Sequence, residues 1–191
     1  MHKTGIEHIR RENLVVAAIG EIGERGSLDV TVSQIARRAG VSSALAHHYF
    51  GTKDRIFLAV MRHILRLYGI QVRIRPADAR AARARLEAIV RASFDDSNFR
   101  PEVVSAWLNF YVKARTSPEI GRLLSVYQRR LRSNLLYPLR ALGVSDPEAA
   151  AEGIGAMIDG IYIRASTGER GAPAPAALVL GYIDLLLEQT E

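Results

Sequence analysis

Cysteine is absent from this chain of 191 residues, which removes disulfide staples, thiolate metal sites and cysteine nucleophiles at once. No stretch approaches the roughly 18 consecutive apolar residues that a membrane span needs, and the opening MHKTGIEHIRRENL holds no apolar core of signal-peptide length. The expectation is a soluble, cytoplasmic protein with no membrane partner. Histidines are few: His2, His8, His47, His48 and His63. The adjacent pair cannot face one metal from a helix, and no HExxH-type spacing occurs. A glycine-rich phosphate loop is also missing, and residue order alone defines no Ser/His/Asp arrangement. Nothing here supports an enzyme, a metal site or a bound cofactor. Strand-like alternation, internal repeats and long disordered segments are likewise not evident.

What the chain does have is helical periodicity from end to end, so the predicted fold class is all-α with about nine helices. Ile9 to Arg25 carries Leu14, Ala17, Ala18 and Ile22 on one face with charges outside, and stops at Gly26. After Lys53-Asp54, apolar residues from Ile56 to Leu65 predict a long helix to about Gly69. Pro76 interrupts, and Asp78 can open the next helix, which runs through Phe94. Asp95 to Asn98 reads as a polar loop. Helices over Val103–Lys113 and Ile120–Leu142 follow, punctuated by Pro101 and Ser117-Pro118. Glu148 to Thr167 is rich in alanine and glycine, each helical glycine costing roughly 1 kcal/mol relative to alanine, so a tight interface is expected there. Residues 176–187, AALVLGYIDLLL, are apolar nearly all round. These last two helices are expected to form a homodimer bundle, with Leu180 and Ile183 at its contact. The division expected is 1–53 as one domain and 54–191 as a second.

The net charge of +6 is uneven. Residues 1–60 carry +2 (8 basic, 6 acidic), 61–100 carry +5 (9 and 4), and 101–191 carry −1 (9 and 10). A basic amino-terminal half favours a polyanion, because neutralised phosphates release counterions. Much of the excess is Arg73, Arg75, Arg80, Arg83, Arg85 and Arg91, read here as a solvated helix face in preference to the alternative, a second nucleic-acid site.

The most informative segment is TVSQIARRAGVSSALAHHYFGTKD at 31–54. Thr31 with Gln34 forms a capping box that opens a helix. Gly40 supplies the left-handed residue that stops it. Ser42 caps a second short helix, SSALAHHYF, and the two meet through a tight turn, as in a helix-turn-helix. Such corners also occur as plain helical packing. On the outer face, however, Ser42, Ser43, His47, Tyr49, Thr52 and Lys53 are short donors and one ammonium, groups suited to phosphates and base edges. The segment resembles the DNA-binding domain of TetR-family transcriptional regulators, including the Tyr49-Phe50 pair and the lysine three residues beyond. That resemblance implies an N-terminal three-helix DNA-binding domain and a C-terminal helical ligand-binding and dimerisation domain. It also implies base contacts from Ser33, Ser43, Ala44 and His47, and phosphate contacts from Thr31, Ser42, Tyr49 and Lys53. The partner implied is a near-palindromic double-stranded operator.

In the second domain Trp107, Phe110 and Tyr111 stand at i, i+3 and i+4 on one helix, and Tyr127 and Tyr162 can join them. An aromatic stripe is either core or a cage for a quaternary ammonium. Asp159 either balances that cation or faces solvent or an ion-pair partner. The stretches SAWLNFYVKA (105–114), RLLSVYQRRLRSNLL (122–136) and IGAMIDGIYIRAST (154–167) are similar to the BetI branch of the TetR family, regulators of glycine betaine synthesis from choline. The resemblance runs over almost the whole chain and implies a homodimeric repressor without enzymatic activity, released by choline as small-molecule inducer. One departure is Tyr162, at a position where tryptophan is expected. The rival readings are a repressor of efflux or catabolic genes sensing another small molecule, and a helical interaction protein that does not bind DNA.

Overall fold

Capping side chains start the helices where the sequence places them. Thr31, Ser42 and Thr52 each accept a hydrogen bond from the backbone N–H three residues on, at 3.2, 3.2 and 3.3 Å, satisfying donors that a helix start leaves unpaired. The computed structural model describes residues 2–72, 79–166 and 174–188. Every regular element among them is helical: α1 (His2–Arg25), α2 (Val32–Arg38), α3 (Ser43–Phe50), α4 (Lys53–Gln71), α5 (Ala79–Ser93), α6 (Asp96–Phe99), α7 (Pro101–Ala114), α8 (Pro118–Ala141), α9 (Pro147–Ser166) and α10 (Pro175–Glu188). Pro101 and Pro118 sit in first turns, where a missing N–H costs nothing.

Three expectations need correction. Helix α1 begins seven residues before Ile9, and the added turns gave no signal because residues 6–10 are all exposed and present no apolar stripe. The polar loop at 95–98 contains the single turn α6, capped by Asp95. One turn is too short to display a period; Asn98 is buried there and donates to the Ala92 carbonyl at 2.8 Å. The arginine face is not simply solvated, because α10 packs along α5. Arg83 pairs with Asp184 of α10 at 2.6 Å, Arg91 with Glu87 of its own helix, and Arg85 is buried. Arg73, Arg75, Pro76 and Asp78 lie outside the described residues, as does the side chain of Arg80.

One continuous core joins all this. Leu14, Ile22 and Ile35 are fully buried at the amino-terminal end, Ile56 and Met61 in α4, and Leu86, Ile89, Phe110, Leu135 and Ile154 beyond. Each such side chain contributes about 1.5–3 kcal/mol on burial. Helix α4 packs on α1 and α3 with one side and on α5 and α7 with the other. Helix α7 also crosses α1 directly, and Gly23 permits it: a Cβ there would stand 2.3–2.5 Å from Glu102, backbone included.

Candidate nucleic-acid interface and ligand cavity

Helix α2 opens on a complete capping box, in which the Thr31 N–H donates to the Gln34 side chain at 2.8 Å while the Thr31 hydroxyl oxygen accepts from the Gln34 N–H. Gly40, at φ +67°, reverses the chain, and the Val41 N–H then donates to the Ala36 carbonyl at 3.0 Å. Helix α3 follows from its Ser42 cap. Ala46 and Phe50 face inward, fixing α3 against the core, while Ala44, His47 and His48 are exposed on the opposite face.

Of the eight residues expected at DNA, Thr31, Ser33, Ser42, Ala44, His47 and Lys53 are exposed, and Ser43 and Tyr49 are half-buried. Both helix starts and the outer face of α3 are thus open to solvent. The Thr31 hydroxyl lies 3.0 Å from Gln34 Oε1, to which it donates. Lys53 has no carboxylate partner among the described residues, whereas neighbouring Asp54 is held by Lys113 at 3.1 Å. The Arg11 guanidinium stacks 5.2 Å over the Phe50 ring, tying α1 to the end of α3. Two exposed groups escaped the sequence reading. Arg37 is one turn past Ser33 at i+4, a spacing that could have found it, and His48 is one turn past Ala44.

The second site is a cavity of about 340 Å³ between α7, α8 and α9, lined by Trp107, Leu108, Tyr111, Val112, Tyr127, Asp159, Tyr162 and Ile163. Five of the six expected ligand residues meet here. Phe110 does not: it is fully buried against Phe57 of α4 and the back of Trp107, at ring separations of 6.4 and 5.5 Å. A helix turns by about 100° per residue, so positions 107, 108, 111 and 112 share the cavity face while 110 falls on the flank toward α4. Trp107 lies 4.6 Å from Tyr127, 6.3 Å from Tyr111 and 6.2 Å from Tyr162 between ring centroids. The aromatic stripe is therefore both: Phe110 is core, and Trp107 with Tyr111 is wall.

Among the described residues Asp159 is the one charged residue on that wall. Tyr111 Oη donates to its carboxylate at 2.6 Å. Burial raises the Asp159 pKa above the ordinary carboxylate value, the Tyr111 hydrogen bond pulls it back, and the charge of Glu152 raises it again. Burial raises the Tyr111, Tyr127 and Tyr162 phenols in turn, so all three are neutral donors at ordinary pH. The Tyr162 hydroxyl is already used, donating to the carbonyls of Ser93 and Asn98. Only its ring is left for a ligand, which is the part it shares with tryptophan. No described cluster of His, Asp and Glu could hold a metal ion, and no described helix is long and apolar enough to cross a membrane.

Two family models match the chain: bacterial regulatory proteins of the tetR family over residues 14–60, and the C-terminal part of BetI-type transcriptional repressors over 82–188. The HTH-type transcriptional regulator BetI of Brucella suis biovar 1 (strain 1330) is 50% identical over 94% of this chain and 91% of its own length. That of Rhizobium meliloti (strain 1021) is 48% identical over 96% and 92%. Among solved structures, a transcriptional regulator from Saccharomonospora viridis in complex with choline superposes with a TM-score of 0.77 at 25% identity, over 93% and 95% of the two chains. A TetR transcription regulator from Haloarcula marismortui shares the fold at TM-score 0.81, over 96% and 98%. These relatives are transcriptional regulators rather than enzymes. With a helix-turn-helix at one end, a ligand-sized aromatic cavity at the other and a match that spans nearly every residue, the chain belongs to the TetR family of DNA-binding transcriptional regulators, in its BetI-type branch.

Proposed function

We propose that this repressor controls glycine betaine synthesis from choline in the cytoplasm, and that choline or a related small quaternary ammonium releases it from its operator. The carrying observation is the cavity: Trp107, Tyr111, Tyr127 and Tyr162 surround a space whose one charged group among the described residues is Asp159. A trimethylammonium head presents spread positive charge and apolar methyls, which suits ring faces worth about 0.5–2 kcal/mol each and one carboxylate. Choline in the Saccharomonospora viridis regulator supports the same ligand class. Calorimetry with choline, glycine betaine and a bulky apolar efflux substrate, followed by operator titration with and without the binder, tests this reading. Binding of the bulky compound alone would make the chain an efflux-type regulator.

We further infer two working parts, 1–53 for DNA and 54–191 for ligand and dimer, with α4 as the link. Ser33, Ser43, Ala44 and His47 are assigned to bases, and Thr31, Ser42, Tyr49 and Lys53 to phosphates of a near-palindromic operator. Ligand entry reaches the DNA-binding part by two routes. Tyr127 backs onto Tyr68 of α4 at 6.3 Å, and α7, which carries Trp107 and Tyr111, has its opposite face on α1, where the Ser105 hydroxyl donates to the Ile22 carbonyl at 3.5 Å. A coupling of about 1–3 kcal/mol through these contacts would change operator affinity roughly 5- to 150-fold.

The homodimer is assigned to α9 and α10. Ile163 and Leu185 are each 57% exposed, and a Cβ at Gly160 or Gly181 would meet nothing within 4 Å. No described residue of the protomer packs on those helical glycines to offset their cost, as close approach of a second copy would. Ile183 is not available for this contact because it is fully buried in the protomer's own core; Leu180 is half-buried.

A further inference from the structure

The end of α3 constrains the chemistry of one base contact. Gly51 follows the helix at φ +71° and ψ −66°, and across it the Thr52 N–H donates to the Phe50 carbonyl at 2.8 Å. This is a γ-turn, open to glycine and strained for an L side chain. Such a turn aims the Gly51 carbonyl back along the last turn of α3, where it lies 3.1 Å from Nδ1 of His47. The same two residues are joined a second time, by the Gly51 N–H donating to the His47 carbonyl at 2.7 Å. A carbonyl oxygen only accepts, so Nδ1 must carry the hydrogen. In the neutral ring that leaves Nε2 bare, an acceptor with no partner among the described residues, on the exposed side of α3 that also bears Ala44.

We propose that His47 reads an exocyclic amine, adenine N6 or cytosine N4, through Nε2 in the major groove. The proposal rests on the DNA-binding assignment above and adds the sign of the contact. On the contacted strand only adenine and cytosine offer a donor at the groove edge, whereas guanine N7 and O6 and thymine O4 are acceptors that would face the Nε2 lone pair with no hydrogen between. His47 therefore sorts amino bases from keto bases at one step of each half-site.

Half-site selection with the full-length protein at pH 8, with every operator position randomised, tests this. The expected result is one step per half-site at which adenine or cytosine is favoured about five- to tenfold, a preference that His47→Ala abolishes there and nowhere else. His47→Gln, whose amide oxygen also accepts, retains the amino base. His47→Arg, which can only donate, turns the step to guanine. Two-bond proton–nitrogen spectra of the His47 ring should show hydrogen on Nδ1 and a bare Nε2, and Gly51→Ala, which strains the turn in open space, should blur the preference. A wild-type step that selects guanine or thymine and is relaxed by His47→Ala would overturn the proposal, as would the opposite tautomer. If the wild type retains no half-site at all, the DNA-binding assignment falls with it; if half-sites are retained but His47→Ala relaxes none, only this inference falls.

Discussion

Tyr111 and Asp159 meet between α7 and α9, the phenol donating to the carboxylate at 2.6 Å, so the one charged group among the described wall residues is held in place by a tyrosine of the same wall. The pair orients the acid without neutralising it. A cation can therefore use it, while a zwitterion that brings its own carboxylate would meet repulsion and no basic residue among the described lining residues. Choline should bind more tightly than glycine betaine.

Acidity should separate binding from stability at this residue. Because the folded Asp159 pKa is raised, the folded state holds that proton more tightly than the unfolded chain. The ligand-free protein thus gains from it at low pH and loses that gain as pH rises through the folded value. Choline needs the ionised form, so its affinity is full above the raised value and falls as pH drops through it. Asp159→Asn should weaken choline about tenfold or more, flatten the pH dependence and raise rather than lower the melting temperature at neutral pH. A lowered melting temperature would mean that the carboxylate is needed for folding.

Trp107 is the single tryptophan of the chain and lies on the cavity wall, which makes its fluorescence a direct probe. Titration with choline should change the emission saturably. Trp107→Phe should bind a few-fold more weakly, whereas Trp107→Ala, losing the ring altogether, should lose about tenfold or more. Unaltered affinity in Trp107→Ala would move the ligand elsewhere.

Lys53 has no acidic partner among the described residues, so Lys53→Ala should weaken all operator and non-operator sequences alike and lower the salt slope of binding by about one unit. Fluorescence anisotropy over a range of salt concentrations reads this directly. A loss confined to one base step would instead make Lys53 a base reader.

Sedimentation should distinguish two neighbouring positions of α10. Leu185→Glu changes an exposed residue and should give folded monomers that lose cooperative grip on two half-sites. Ile183→Glu buries a charge in the protomer core and should unfold it. A fully dimeric Leu185→Glu would place the interface on another face.

Gly23 tests the direct contact of the two parts. Gly23→Ala must push Glu102 or the helices apart, costing about 1–3 kcal/mol and, in a chain of this size, roughly 2–4 °C in melting temperature for each kcal/mol. Calorimetry gives the cost. Operator affinity in the presence and absence of choline then reports whether the α1–α7 crossing carries the signal.

Local order alone determined the helix-turn-helix. The box of Thr31 and Gln34, the positive φ of Gly40 and the cap of Ser42 are interactions within five residues, so their chemistry is legible without knowing anything distant. The same holds for the all-α class and, the single turn α6 excepted, for every helix, where apolar period and proline or glycine stops coincide. Tertiary structure decided what period could not. Trp107, Phe110 and Tyr111 satisfy one spacing rule, yet Phe110 is core and the other two are wall, because α4 packs on one flank of α7 while α8 and α9 enclose the cavity on the other. Ile183 and Leu185 lie two residues apart in one apolar run and face opposite ways, toward the core and toward the open surface. Arg85 reads as a surface charge and is buried among packed helices. Sequence specifies which residues can be apolar walls, caps or donors; which side of a helix becomes cavity, core or surface depends on neighbours remote in the chain, and only their packing settles it.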